Sequence, residues 1–363
     1  MKKYFLKQVI VPALFILMCP VTALAQIDNV DFLRSAPGDA VKFIEAYVAP
    51  WANAFGAGLN GSWYNTAKPH KFGGFDVTFG LNVGIVPSSA ETFDISKVGF
   101  TSLTGTGNAS TIAGPATEGP TVSYTQSYNS NTYTLSSFRT PPGTDWKYIP
   151  VPTLQVGIGL PLGTELKGRF IPRLPIRDGD LMLWGVGLMH SIMQYIPGND
   201  LLPLDVSVFG GYTWLNGNVP VSLQPDFSVT QNYPTINPVT YFSDQNLSMT
   251  LQAYNVSAVA SVNLKIITFY AGLGYSNTKT DVELEGNYPS PVLVTSPVPH
   301  AEYNESDASI IRGDEFPSME IENFSGLRTN VGFRLKLSVI TLHADYTRAQ
   351  YNVVSAGLGI SFR

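Results

Sequence analysis

Cysteine is almost missing from this chain. The single one, Cys19, falls in an N-terminal segment built like a removable export signal. The exported chain is therefore expected to have no disulfide, no cysteine-held metal and no thiol nucleophile. Charge is also scarce, at 13% of residues, about half the share usual in soluble domains. Basic charge is scarcer still: without the three lysines of the first 25 residues, 19 Lys+Arg face 27 Asp+Glu, a net charge of −8. That balance excludes a basic nucleic-acid-binding surface, so no nucleic acid is expected as a partner.

Motifs of chemistry are missing as well. Four histidines occur in 363 residues, with no His-Glu-x-x-His and no Gly-x-Ser-x-Gly. Gly105 and Gly107 lie in a Thr/Ser/Asn-rich stretch with no strand-to-helix pattern to make a phosphate cradle. His343 and Asp345, two apart on one strand, could orient a base, but no serine partner accompanies them. The expectation is therefore no enzyme, with no catalytic, cofactor-binding or metal-binding residues and no cofactor.

Finally, no run of 18 apolar residues follows the first 25, which excludes helical membrane spans and leaves a barrel as the only form of membrane residence. The N-terminal segment itself carries Lys2, Lys3 and Lys7, an apolar run from Val9 to Met18, and the small-x-small pattern of Ala23, Leu24 and Ala25 ahead of Gln26. It is read as a cleaved signal peptide over 1–25. A lipoprotein signal through Cys19 is disfavoured because Met18 is bulky where that cleavage wants a small residue.

What is present is alternation. Phe75, Val77, Phe79, Leu81, Val83 and Ile85 interleave with Asp76, Thr78, Gly80, Asn82 and Gly84. Leu327, Thr329, Val331, Phe333, Leu335 and Leu337 interleave with Arg328, Asn330, Gly332, Arg334 and Lys336. Three charges on one face of a strand whose other face is apolar suit a wet lumen behind a lipid-facing wall. Further alternating segments run 154–160, 165–171, 181–189, 204–214, 254–264, 267–275, 341–347 and 354–362, with a phase shift near Gln252 that implies a bulge or a strand rising out of the membrane.

Taking Phe55–Tyr64 as the first strand and a poorly patterned segment near Thr92–Phe100 as the third gives an all-β, transmembrane antiparallel barrel of twelve strands. Fourteen result if Tyr124–Ser137 adds a hairpin. With twelve, the long connections (101–150, 216–245 and 286–323) share one side and both termini the other, as in outer-membrane barrels. Residues 26–54 are left as a helical plug segment, and 55–363 form the barrel with long extracellular loops.

The chain ends with Val354, Ala356, Leu358, Ile360 and Phe362 on one face, an aromatic-terminated strand similar to the signal read by barrel-assembly machinery, here followed by Arg363. Trp184, Tyr212, Trp214, Tyr254, Phe269, Tyr275, Tyr346 and Phe362 fall near strand ends, where interfacial girdles lie. The block Phe55–Lys71 (FGAGLNGSWYNTAKPHK) with Gly74–Asp76, the stretch Trp184–Gly198 (WGVGLMHSIMQYIPG), Asp205–Tyr212 (DVSVFGGY) and the ending Tyr351–Arg363 (YNVVSAGLGISFR) resemble an uncharacterised family of Bacteroidota outer-membrane barrel proteins. The resemblance implies fold and location but no activity. In layout alone, a helix before a barrel is similar to fatty-acid-transporter-type outer-membrane channels, without the Asn-Pro-Ala motif of their plugs.

Asp39 is placed to cap a helix over Ala40–Ala49, and Pro50 to open a second turn over Trp51–Ala54. Val41, Phe43, Ile44, Tyr47 and Trp51 make this segment apolar nearly all round, so it must be buried, inside the barrel as a plug or against the inner leaflet. The inward strand positions are rich in glycine, among them Gly56, Gly58, Gly84, Gly157, Gly159, Gly185, Gly187 and Gly211, leaving room for a plug or helping the barrel curve. Lumen-lining charges are expected at Asp76, Glu165, Lys167, Arg169, Asp205, Arg328, Arg334, Lys336, His343 and Asp345. A two-residue turn at Ser338 and Val339 sets Arg334 opposite His343 and within diagonal reach of Asp345. The acidic run around Glu302–Glu322 is read as a solvated loop. The leading function is a channel or transporter for small, hydrophobic molecules, the cargo unidentified. Its rival is a non-conducting surface barrel whose loops mediate adhesion or partner binding. Outer-membrane lipid and the assembly machinery are the other expected partners, and the outer membrane of a Gram-negative cell the expected location.

Overall fold

Side chains that alternate by twos put one face of each strand in hydrocarbon and the other in the interior, and no edge can be left open in that solvent. In the computed structural model, which describes residues 33, 36–176, 179–197, 203–225, 242, 244–303, 309–317, 319–321 and 325–362, ten such strands pair antiparallel and close. They are β1 (Phe75–Ile85), β2 (Tyr148–Leu160), β3 (Thr164–Ile176), β4 (Gly179–Ser191), β5 (Leu204–Pro220), β6 (Asn246–Leu264), β7 (Ile267–Glu285), β8 (Ser325–Leu337), β9 (Ile340–Arg348) and β10 (Asn352–Phe362). Neighbours in sequence pair with one another, and β1 with β10 (Phe75 opposite Phe362) completes the ring. A short strand, Met319–Ile321, adds to β7 at Thr280–Val282.

The outer surface is apolar on every strand, with Val77, Val156, Phe170, Val186, Val208, Val256, Leu273, Val331, Leu342 and Leu358 all exposed, a surface that only hydrocarbon solvates favourably over such an extent. Among the described residues no helix is long and apolar enough to cross a membrane. The alternation and the closed antiparallel barrel are therefore as expected. The strand count is ten rather than twelve. Phe55–Leu59 continues a helix, and Asn60–Tyr64 leaves it as a turn. Thr92–Phe100 contributes a three-residue strand, Thr92–Asp94, and a 3-10 turn, Ile95–Lys97, outside the barrel. The hairpin expected around Tyr124–Ser137 exists (Thr121–Tyr128 with Asn131–Arg139) but pairs with Leu103–Thr104, separately from the wall.

Parity survives the correction, since ten is also even. Residues 86–147, 221–245 and 286–324 leave from one end, and both β1 and β10 begin or end at the other. β5, β6 and β7 run 17 to 19 residues, well beyond the roughly 9 to 11 of a membrane crossing. Register is unbroken through Gln252, so the phase change there marks a strand leaving the membrane; the wall's register shift lies instead between Ile171 and Leu174. The signal peptide lies outside the described residues.

Candidate functional site: the filled lumen

One helix, α1 (Pro37–Leu59), descends into the barrel from the long-loop end. Pro37 starts it, at a first-turn position where a missing N–H costs nothing. Pro50 sits inside it without ending it, so the break expected there does not occur. The spacing Trp51, Phe55, Leu59 is the signal that the helix continues; Trp51 and Phe55 stack at 5.1 Å. The plug residues Val41, Phe43, Ile44, Tyr47 and Trp51 are all buried. Gly56 and Gly58 are helical and face Thr278 and Val151 of the wall, rather than being strand positions. On the wall, a methyl at Gly84 would lie 2.0 Å from the Ala54 carbonyl oxygen: the missing side chain lets the helix backbone touch the sheet.

Asp39 does not cap its own helix; Ala36 occupies the N-cap. Its carboxylate instead accepts from the N–H groups of Thr101 (2.8 Å), Ser102 (2.6 Å) and Leu103 (2.8 Å) and from the Thr101 hydroxyl. Burial pushes this carboxyl up, but those donors outweigh it and hold the group below its ordinary range. A depressed folded value contributes stability that is complete above the unfolded value of about 3.9 and is lost as pH falls through the folded value. Pepsin cleavage in residues 99–104 should accordingly rise as the pH is lowered through that window. Asp39→Asn, weaker by about 1–2 kcal/mol, should be cut readily across the whole range; cleavage indifferent to both changes would dismiss the anchor.

At its lower end α1 exposes carbonyls with no helical partner, at the negative end of its dipole. Its own last turn carries no basic residue. The wall supplies two. Arg169 donates Nη1 to Leu59 O and Nη2 to Gly61 O, both 2.7 Å, and Nε to Gln155 Oε1 at 3.0 Å. Arg328 donates to Asn60 O at 2.6 Å and to Thr347 Oγ1. The Arg169 guanidinium also lies 3.6 Å from the Trp63 ring centre.

Below the helix, residues 60–74 continue through the lumen without regular structure. Trp63 and Tyr64 pack on Phe209, and the Tyr64 hydroxyl donates to Asn330. Ala67 is held by both backbone groups, its N–H to Ser261 and its carbonyl to the Ser207 hydroxyl. His70 ends the path: its backbone N–H donates to Glu165 Oε2 and its Nδ1 lies 2.9 Å from the same oxygen. Lys167 pairs with Glu165 Oε1.

Of the charged positions read from sequence, Asp76, Glu165, Lys167, Arg169, Arg328, Arg334, His343 and Asp345 are buried in the interior, while Asp205 and Lys336 are half-buried. Arg334 is opposite His343 in the register. Asp345 takes a hydrogen bond from Tyr270 (3.0 Å), and Arg334 reaches Ser361 (3.4 Å), so both members of the expected Arg334–Asp345 contact are otherwise engaged. Sequence reasoning missed Trp63, Gln155 and above all His70, which stands in a Lys-Pro-His-Lys run and comes to lie beside Asp76 and Glu165.

Residues 1–362 of the 363 match a family model described as a family of unknown function (DUF6588). No curated protein matches it. Solved structures similar to it include the attachment invasion locus protein Ail of Yersinia pestis (9% identity, 80% of this chain and 98% of that one, TM-score 0.25). Others are the outer-membrane protease OmpT of Escherichia coli (5%, 80% and 97%, 0.30) and the toluene transporter TodX of Pseudomonas putida (9%, 80% and 67%, 0.26). Likeness at these TM-scores transfers no activity.

Proposed function

As a member of the family of unknown function DUF6588 the chain inherits no activity, and we propose from its geometry that it is an outer-membrane barrel, shut by its own N-terminal segment, that holds a rigid cap at the cell surface for partner binding. One observation carries this reading. Ser207, Thr213 and Asn255, polar and facing inward at different heights, are each 0% exposed. A water-filled passage would wet them.

The plug also organises the cap. Phe43 lies within 5.7 to 6.4 Å, ring centre to ring centre, of Phe93, Phe100 and Phe138, all from residues 86–147. Loops with a shared apolar core present a fixed surface rather than a mobile fringe. In this reading lipid is the partner of the apolar belt, β10 the segment that assembly machinery reads, and the lumen performs no chemistry.

The expected result is no steady ion current from the full chain in a planar bilayer; an ohmic current from the intact protein would sink the proposal. The near-absence of cysteine offers a second test. Ser207→Cys and Thr213→Cys should resist a membrane-impermeant thiol reagent, while Phe72→Cys, at a position 77% exposed, should react at once. A gated passage is the second reading, since the stretch around Ala67 and His70 is tied to the wall by polar contacts that water could replace. It expects current once those ties are cut.

A further inference from the structure

We propose that His70, Asp76 and Glu165 form a binding site for a divalent transition metal of the zinc type, which pins the end of the plug segment to β1 and β3. It rests on the plug reading only for that consequence; metal binding itself is measured independently of any current.

The three come from separate parts of the fold: His70 from the plug segment, Asp76 from β1, Glu165 from β3. All are buried, and one potential ligand atom from each lies within 4.8 Å of the other two. His70 Nδ1 is 2.9 Å from Glu165 Oε2 and 3.8 Å from Asp76 Oδ1. Ligands about 2.0–2.1 Å from a tetrahedral ion are separated by roughly 3.3 Å, so these spacings bracket that edge.

The outward atoms of the same groups are each tied by a second partner. His70 Nε2 meets Ser361 Oγ at 3.0 Å, Asp76 Oδ2 accepts from the Thr78 hydroxyl at 2.9 Å, and Glu165 Oε1 is held by Lys167. Such outer contacts orient a metal's ligands and leave His70 Nδ1, Asp76 Oδ1 and Glu165 Oε2 facing one another, Oε2 also accepting the His70 backbone N–H. Gly157 keeps the space: a Cβ there would lie 2.3 Å from Asp76 Oδ1 and 2.8 Å from Glu165 Oε1.

A fourth titratable group lies nearby without joining the site. His343 is buried on β9, its ring laid against Gly357 and near enough to Asp76 and Lys167 to interact electrostatically with both, yet neither ring nitrogen has a hydrogen-bond partner among the described residues. It lies opposite Arg334 in the register and outside the group of three, so the protein donors of the site are His70, Asp76 and Glu165 alone. Nitrogen and carboxylate donors with no thiolate suit zinc, and also cobalt(II), which reports its geometry by absorption.

The test uses the full chain in detergent micelles, stripped with a chelator and titrated with zinc by calorimetry, with metal content measured after dialysis. We expect one bound zinc per chain, and affinity lower by about 10–100-fold or more in His70→Gln and Glu165→Gln. Asp76→Asn provides a third variant should either fail to fold, folding being judged by heat-modifiable migration. Cobalt(II) should show the intense visible bands of a four-coordinate site in the unaltered chain and lose them in the variants. Folded protein that keeps no zinc, or that keeps as much with His70→Gln as without it, overturns the site; the second result would mean that zinc sits elsewhere on the chain.

Discussion

Arg169→Met should cost about 3–5 kcal/mol of stability, more than its single positive charge suggests. Removing the fork takes two charge-assisted hydrogen bonds from Leu59 O and Gly61 O, each worth about 1.5–3 kcal/mol. It also removes a cation over the Trp63 ring, worth about 2 kcal/mol in a dry setting. Against this stands the cost of burying a guanidinium, which methionine relieves. The loss still wins because the two carbonyls stay behind, buried and unpaired, whereas in neutral swaps of buried ions both partners are replaced. Arg169→Lys keeps the charge but cannot span two acceptors, and about half the loss should remain. Arg328→Met, with one plug carbonyl at stake, should lose about 1.5–3 kcal/mol. The two arginines hold adjacent peptides, so the double variant should fall short of additivity. Denaturant unfolding in micelles gives these values, and reaction of Ser207→Cys reports whether the lumen has opened. Full stability in Arg169→Met would mean that the helix end does not depend on the wall.

How far the sequence reaches depends on what each residue's period reports. The wall was legible because hydrocarbon on one side and an interior on the other impose a strict alternation, seen in β1, β8 and β10 without reference to anything distant. Phe55–Tyr64 misled because its small residues, Gly56, Gly58 and Gly61, imitate the small inward positions of a strand. The counter-signal was the four-residue spacing of Trp51, Phe55 and Leu59. The charged lumen positions were legible as inward-facing, since parity alone decides that. Their partners were not: Arg169 faces the peptides of residues 59 and 61, more than 100 positions away, and a carbonyl leaves no mark in a sequence. His70 was opaque for a related reason. Its surroundings, Glu165, Ser361 and Asp76, come from three strands that meet only when the barrel closes.

Trp63→Ala should match the first loss, at about 3–5 kcal/mol, and by a different route. The indole is 1% exposed and rests on a seat of three glycines on β4 and β5. A Cβ at Gly185, Gly187 or Gly211 would come within 3.3, 3.0 and 3.0 Å of its ring. Phe209 closes one side at 5.5 Å between centres and Arg169 the face. Strand glycine is expensive in itself, so three around one ring imply that the wall is shaped to the plug. If so, filling the seat should injure the protein even with the plug intact: Gly187→Leu should cost about 1–3 kcal/mol through overpacking. The two changes should then offset one another, because alanine at position 63 vacates the volume that leucine at position 187 needs. The double variant should therefore be more stable than the sum of the single losses predicts, by about 1 kcal/mol or more, a coupling found only between groups in contact. Strict additivity would show that the glycines serve the curvature of the wall alone. Coupling together with an unreactive Ser207→Cys in the double variant would establish that the barrel and its N-terminal segment are packed as one core, from which the surface cap takes its rigidity.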